Sequence, residues 1–397
     1  MRLPLADLPS YCRGMSLIAR LAPLLLALTA TAQNNLPPMR RISATNTPAH
    51  LAARGFMRGA NIANYLEVPP GESWSVAHSP ADLKLIRVEG FDHIRLPVAW
   101  QWYTGPAPGF KLRDEIFARA DQMVTNATAL GLNVMIDFHN FSQFVAAPAS
   151  NTPWFEAIWG QVAAHYAAAP AGVAFELLNE PNGAATTALL NPIFAETIRQ
   201  IRRTNPHRTI FVGPSQWNSP DELANLRLPD DDDNLIVTLH CYDPMYFTHQ
   251  GASWAGPDNK VTGVVFPGPP KTPLQPDPGL GLHSWVLDWF RQYNTLPADR
   301  NPASPLAFTP KIKKAKAWSA EFGRPVQFGE FGAYTKADQE SRAHFYAAFR
   351  QALEAEGIGW TIWDWKSGFN YWDPKTQQPL PGMREALFPG SASQKKK

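Results

Sequence analysis

The chain is poor in several things, and each shortage removes a class of protein. It has 2 Cys in 397 residues, and 36 Lys+Arg against 34 Asp+Glu leave a formal charge of only +2. A disulfide-built scaffold is excluded by the first count. Nucleic acid as main partner is excluded by the second, because phosphate binding needs a concentrated basic face. Beyond the first 32 positions no apolar run approaches the ~18 residues of a membrane span. No G-x-G-x-x-G follows a strand-like run, and the 10 His are scattered with no H-E-x-x-H spacing. What is abundant is Trp, at 14, and Pro, at 38. Flat rings in that number suggest surfaces as well as a core, and dispersed Pro suggests long ordered loops.

Residues 1–32 read as a secretory signal: Arg13 and Arg20, an apolar core from Leu21 to Leu28, and Ala30-Thr31-Ala32 as a small-residue cleavage site. Met15 is an alternative start. Cleavage before Gln33 removes Cys12 and leaves Cys241 alone, so the mature chain is expected to be secreted or periplasmic, soluble, and held together by its core. Residues 33–54 are polar and Pro-containing, expected as a loose lead-in, and 391–397 form a basic tail.

Between them, β-like runs alternate with helical ones. The strand candidates are Met57–Asn61, Phe91–Leu96, Leu132–Phe138, Val173–Leu178, Thr209–Val212, Leu235–Leu239, Pro325–Phe328 and Gly359–Trp363. Helices are expected near 113–130, 153–168, 188–204, 311–322 and 337–356, and another opens at Ser79-Pro80, with Ser79 as cap and Pro80 at the first helical position. This rhythm over 55–390 predicts a parallel α/β sheet closed as a single-domain (β/α)8 TIM barrel. An insertion at about 242–310 interrupts it, with FPGPPKTPLQPDPGLG at 266–281 too rich in Pro and Gly for regular structure. The acidic run Asp230 to Asp233 reads as a solvated turn.

A barrel places its chemistry at the C-terminal ends of its strands. Those ends carry Arg95, His139, Asn179-Glu180, His240, Tyr242, Glu330 and Trp363. Such a set is hard to explain as packing, since strand ends under loops should otherwise be apolar. Two carboxylates facing one cleft suit glycoside hydrolysis, one protonated to donate and one ionised to attack or to activate water. Glu180 and Glu330 are the pair, each after a strand read as apolar. Arg95 and Tyr242 are placed to keep Glu330 ionised, while burial and the charge of Glu330 raise Glu180. His139 and His240 suit hydrogen bonding better than a two-His metal site. Cys241, between His240 and Tyr242, should point into packing.

Sugar rings stack their C–H faces on aromatic rings. Trp100, Trp102, Trp217, Trp254, Trp363, Trp365 and Trp372 form the expected rim set, with Trp363 the platform; Trp154, Trp159, Trp285, Trp289, Trp318 and Trp360 are expected in the core.

The ordered motifs RGANIANYLE, IRLPVAW, IDFHN, LLNEPN, LHCYDP, FGEFG and TIWDW, over about 56–375, resemble glycoside hydrolase family five, the cellulase-type endoglucanases. The resemblance implies a barrel that cleaves β-glycosidic bonds with retention. Residue by residue, Glu180 matches the acid/base and Glu330 the nucleophile. Arg95 and Tyr242 match the partners of the nucleophile. His139, Asn179 and His240 match positions around the sugar, Asn179 at its 2-hydroxyl, and Trp363 matches the stacking platform. YFTHQGASW at 246–254 resembles a segment of some members, with His249 and Trp254 placed to line the cleft. A secreted endo-β-1,4-glucanase is the expectation, working as a monomer on β-glucan, with no cofactor, no metal, no nucleic acid and no membrane. Mannanase, xyloglucanase and β-1,3-glucanase remain alternatives within the family, and a non-catalytic carbohydrate-binding barrel outside it. No carbohydrate-binding module follows residue 375, so soluble or oligomeric glucan is the expected form of substrate.

Overall fold

A strand buried on both faces favours a near-continuous apolar run, as in IFV at 210–212 and LIVTL at 235–239, while other strand segments carry isolated polar residues. In the computed structural model, which describes residues 39–139 and 143–390, the strand segments form β1 Arg58–Asn61, β2 His93–Val98, β3 Asn133–Phe138, β4 Val173–Glu176, β5 Ile210–Val212, β6 Leu235–His240, β7 Val326–Phe331 and β8 Gly359–Ile362. All pair in parallel and in sequence order, and β8 returns to β1 through Ala60 opposite Ile362, closing the barrel. This is the expected (β/α)8 fold, with boundaries within a few residues of those expected. The proposed leader and the basic tail lie outside the described residues.

The principal helices are α1 Pro48–Ala53, α2 Pro80–Glu89, α3 Asp114–Ala129, α4 Pro148–His165, α5 Thr187–Arg202, α6 Ser284–Thr295, α7 Thr309–Phe322 and α8 Gln339–Ala355. Helix α2 starts where Ser79 and Pro80 place it. The Asp82 carboxylate accepts the Ser79 backbone N–H at 2.8 Å, and Gly90, at φ 109°, ends the helix in the left-handed conformation glycine tolerates. Helices pack on the sheet through aromatic layers: Phe331 of β7 stacks on Phe349 of α8 at 4.5 Å and 9°, and Trp159 of α4 donates its indole N–H to Leu177 O at 3.0 Å. Each such ring contributes about 1.5–3 kcal/mol by burial. Among the described residues no helix is long and apolar enough to cross a membrane.

One expectation is corrected. The lead-in is not loose from Met39 onward: Met39 is buried, Ile42 donates to Phe322 O at 3.0 Å, and α1 is capped by Thr47. Ala49 and Phe56 then pack on Met135, Ala174, Phe211 and Ile236, closing the floor of the barrel. The anchoring side chains are few, and polar neighbours hide them in the sequence. The acidic run is exposed at Asp230, Asp231 and Asp233, as expected of a solvated turn; Asp232 pairs with Arg202 at 2.7 Å, and Asp230 accepts the Arg40 backbone N–H at 2.8 Å.

The insertion after β6 is ordered, and it contains α6. Val286, Phe290 and Tyr293 supply the buried stripe of that helix. Pro lacks an N–H, and several amides in and just before the Pro-rich stretch turn to side chains, while Gly268 donates to Ala303 O at 2.7 Å. Gln250 accepts from Gly263 and Val264, Ser341 from Phe266, Asn294 from Leu274, and the Tyr293 hydroxyl from Val265.

Candidate active site

Arg95, buried in the barrel lumen on β2, organises the site. Its guanidinium grips Glu176 of β4 bidentately at 2.6 and 2.9 Å, and donates to Glu330 Oε1 at 2.7 Å, Asn179 Oδ1 at 2.8 Å and Asn61 Oδ1 at 3.0 Å. Asp137 of β3 lies 3.1 Å away. A planar fork with five N–H groups serves that many acceptors at once; a lysine could not. Asp137 also holds His139 Nδ1 at 2.6 Å, and His139 Nε2 lies 3.3 Å from the Asn179 amide nitrogen.

Glu330 is the penultimate residue of β7, beside Gly329. There the strand kinks against β8, and a Cβ on Gly329 would lie 2.6 Å from the Thr238 hydroxyl, so glycine is required. Arg95 occupies one oxygen of Glu330 and the Tyr242 hydroxyl donates to the other at 2.7 Å. Glu180 sits across the cleft in a left-handed conformation, φ 44°. Its side chain is 26% exposed against 5% for Glu330, and its Oε1 lies 2.9 Å from His240 Nδ1. Its backbone N–H donates to Asn218 Oδ1 at 2.7 Å, and its carbonyl accepts from Asn182 at 2.9 Å. Asn218 ends a run of three left-handed residues, Gln216, Trp217 and Asn218, at φ 55°, 58° and 55°. Such a run costs roughly 1–2 kcal/mol per non-glycine residue, least for Asn, and persists only where the surroundings enforce it.

Burial dominates the ionisation of these groups. It pushes Glu180 up to about 7, with Arg95 pulling back and the negative Glu176, not Glu330 as expected, adding to the rise. Glu330 is also raised by burial, opposed by His240 and Arg95. Asp137 is pushed up to about 7 for the same reason. Both imidazoles are driven toward neutrality, His139 to about 3 and His240 to about 4, first by burial. Burial, then the charge of Glu330, lifts the Tyr242 phenol well above its ordinary value, so it remains an O–H donor. Two direct donors, one of them cationic, favour the charged form of Glu330.

The structure brings Arg95, His139, Asn179, Glu180, His240, Tyr242, Glu330 and Trp363 to one rim. The Trp363 ring lies 5.8 Å from that of His139 at 15°. Asp137, Glu176, Asn61 and Asn218 were not foreseen. Strand β4, expected to be apolar within, carries Glu176 facing the lumen, and β3 carries Asp137 two residues before His139 and on the same face. Cys241 points the other way into the core, and burial pushes its thiol up to about 12. The Trp division is corrected in part. Trp100, Trp365 and Trp372 are buried in the core, whereas Trp285, expected there, is 60% exposed; Trp217 and Trp254 are exposed at 56% and 62%. His249 is buried against Tyr242, its ring 4.9 Å away.

Glu180, His240 and Glu330 offer donor atoms within 4.8 Å of one another, a triad able to hold a cation. Both oxygens of Glu330, however, already accept from Arg95 and Tyr242.

Comparison with known proteins points one way. The family model for cellulase, glycosyl hydrolase family 5, matches residues 57–368. Endoglucanase 3 of Fibrobacter succinogenes is 30% identical over 372 residues, covering 88% of this chain and 55% of that protein. Endoglucanase H of Acetivibrio thermocellus is 27% identical, over 77% of this chain and 29% of its own length. The chain thus spans about half of the first relative and under a third of the second. Thermotoga maritima Cel5A in complex with mannotriose superposes with a TM-score of 0.74 at 29% identity, covering 85% of this chain and 99% of Cel5A. The cellulose synthase subunit Z of Clostridioides difficile gives a TM-score of 0.72 at 28% identity, over 84% and 99%. The chain belongs to the cellulase family, glycosyl hydrolase family 5.

Proposed function

We propose that this chain is an endo-β-1,4-glucanase that hydrolyses β-glucan with retention of configuration. The observation that carries the reading is the Glu180–Glu330 pair, with one oxygen of each within 4.8 Å of the other and unequal surroundings. That spacing supports the retaining arrangement, at ~5–5.5 Å between carboxyl groups, over the inverting one, at ~6.5–9.5 Å. In the proposed reaction Glu330, held as a carboxylate by Arg95 and Tyr242, attacks the anomeric carbon. Glu180 gives its proton to the departing oxygen as the glycosidic bond breaks. A water then attacks the glycosyl ester, Glu180 takes its proton, and Glu330 is regenerated. Asn179, its carbonyl tied to Arg95, presents its amide nitrogen to a sugar hydroxyl; Trp363 supplies the stacking face, and His139 and His240, neutral, line the sugar.

The names of the relatives support glucan, and the Cel5A complexes with cellobiose and with mannotriose make β-mannan the second reading. Residues 1–32 support export, so the working form is proposed to be secreted or periplasmic, and it is proposed to act as a monomer. Reducing-end release from soluble β-1,4-glucan, mannan, xyloglucan and β-1,3-glucan tests the substrate, with the glucan expected to be fastest. The first product observed by anomeric proton NMR should be the β-anomer, and an initial α-anomer rejects the mechanism. Glu330→Gln should abolish turnover with the thermal unfolding midpoint retained.

A further inference from the structure

The three left-handed residues after β5 do not share one role. The Gln216 and Trp217 side chains are exposed, and only Asn218 is turned inward, where it is fully buried. Gly213 makes the space, since a Cβ there would overlap the Asn218 amide. The amide nitrogen of Asn218 reaches Thr238 O at 3.4 Å, which leaves its carbonyl aimed at the Glu180 N–H at 2.7 Å. Two further bonds tie the same segments together, from Trp217 N–H and the Ser215 hydroxyl to Pro181 O, at 3.1 and 3.3 Å.

An amide at the end of a parallel strand ordinarily continues the ladder to its neighbour. At Glu180 the ladder has stopped and the backbone has turned left-handed, so a side chain from the next strand's loop receives that N–H instead. We propose that Asn218 is a positioning residue for the acid/base. By fixing the peptide that begins Glu180, it sets the direction in which the carboxyl leaves the backbone and aims its proton at the leaving oxygen. This rests on the reading of Glu180 as acid/base.

A role confined to packing predicts an equal loss on every substrate. Positioning of the acid predicts a loss that grows with the leaving group's need for a proton. Asn218→Gly tests this, because glycine takes the left-handed conformation without penalty while losing the acceptor. On aryl β-cellobiosides, kcat/KM should fall on the order of a hundredfold for a p-nitrophenyl or poorer leaving group, within the range general acid catalysis supplies. For 2,4-dinitrophenyl it should stay within about threefold of the parent. Asn218→Asp, which keeps the acceptor oxygen, should recover most of the loss. Equal losses on both leaving groups, or no loss on either, overturn the proposal. Glu180→Ala in the same series separates the two readings: if it shows no leaving-group dependence, the assignment of Glu180 is what fails.

Discussion

Tyr242→Phe isolates the electrostatics of Glu330. The substitution removes one oxygen and keeps the ring, whose contacts with His249 at 4.9 Å and Phe369 at 5.9 Å need no hydroxyl. What is lost is the 2.7 Å bond to Glu330 Oε2. A hydrogen bond to a charged group contributes about 1.5–3 kcal/mol. At 1.36 kcal/mol per pKa unit, removing it raises Glu330 by roughly 1–2 units, because the donor stabilised the ionised form. In the proposed mechanism Glu330 attacks only when ionised, so the acid limb of the kcat/KM profile should move to higher pH by that amount. The alkaline limb, set by Glu180, should move far less. The assay is kcat/KM on an aryl cellobioside from about pH 3 to 9, with the unfolding midpoint as a control for folding. An acid limb that stays within about 0.3 units, with the fold intact, refutes this account of how the carboxylate is held.

Three further outcomes are expected. The alkaline limb of kcat/KM in the parent enzyme should fall through a value near 7, since Glu180 must be protonated to donate and burial holds it there; full activity at pH 9 would remove Glu180 from the role of acid. Trp363→Ala should raise KM for cello-oligosaccharides at least tenfold, about 1.4 kcal/mol or more of lost stacking, with the unfolding midpoint little changed; an unaltered KM removes the platform. Cys241, buried with its thiol pushed up to about 12, should resist iodoacetamide in the native protein and react only on unfolding, as mass spectrometry will show.

The barrel was legible because strand and helix periods alternate cleanly, and the rim was legible because polar residues stand just past apolar runs. What the sequence hid is the support beneath the rim. Asp137 and Glu176 lie within strands, where a single acid in an apolar run reads as noise until the opposite cation, Arg95, is placed across the lumen. Asn218 carries no signal at all, since its role depends on three left-handed residues and on the room left by Gly213. Trp285 and Trp365 exchanged their expected places because a Trp in a helical run reads as core. Which face of α6 turns inward is decided by Val286, Phe290 and Tyr293 together, and the indole of Trp365 finds a buried partner in Asp82, 3.2 Å away.

One cation serving three buried carboxylates has a consequence for the whole fold. Asp137 and Glu180 are held near 7, and Glu67, buried in the loop after β1 where it accepts the Tyr65 N–H at 2.9 Å, near 8; Glu176 and Glu330 are shifted in the same direction. The unfolded chain releases these protons near 4, so between about pH 4 and 8 these carboxyl groups hold more protons in the fold than in the coil, whereas His139 and His240, driven to about 3 and 4, hold fewer below the ordinary imidazole value near 6.5. By linkage, the carboxyl groups make stability decline as pH rises through that window. Above about pH 6.5, where the two imidazoles are neutral in both states, the catalytic end of the barrel therefore acts as a proton store, and there a fall in pH favours both the intact fold and the protonated Glu180.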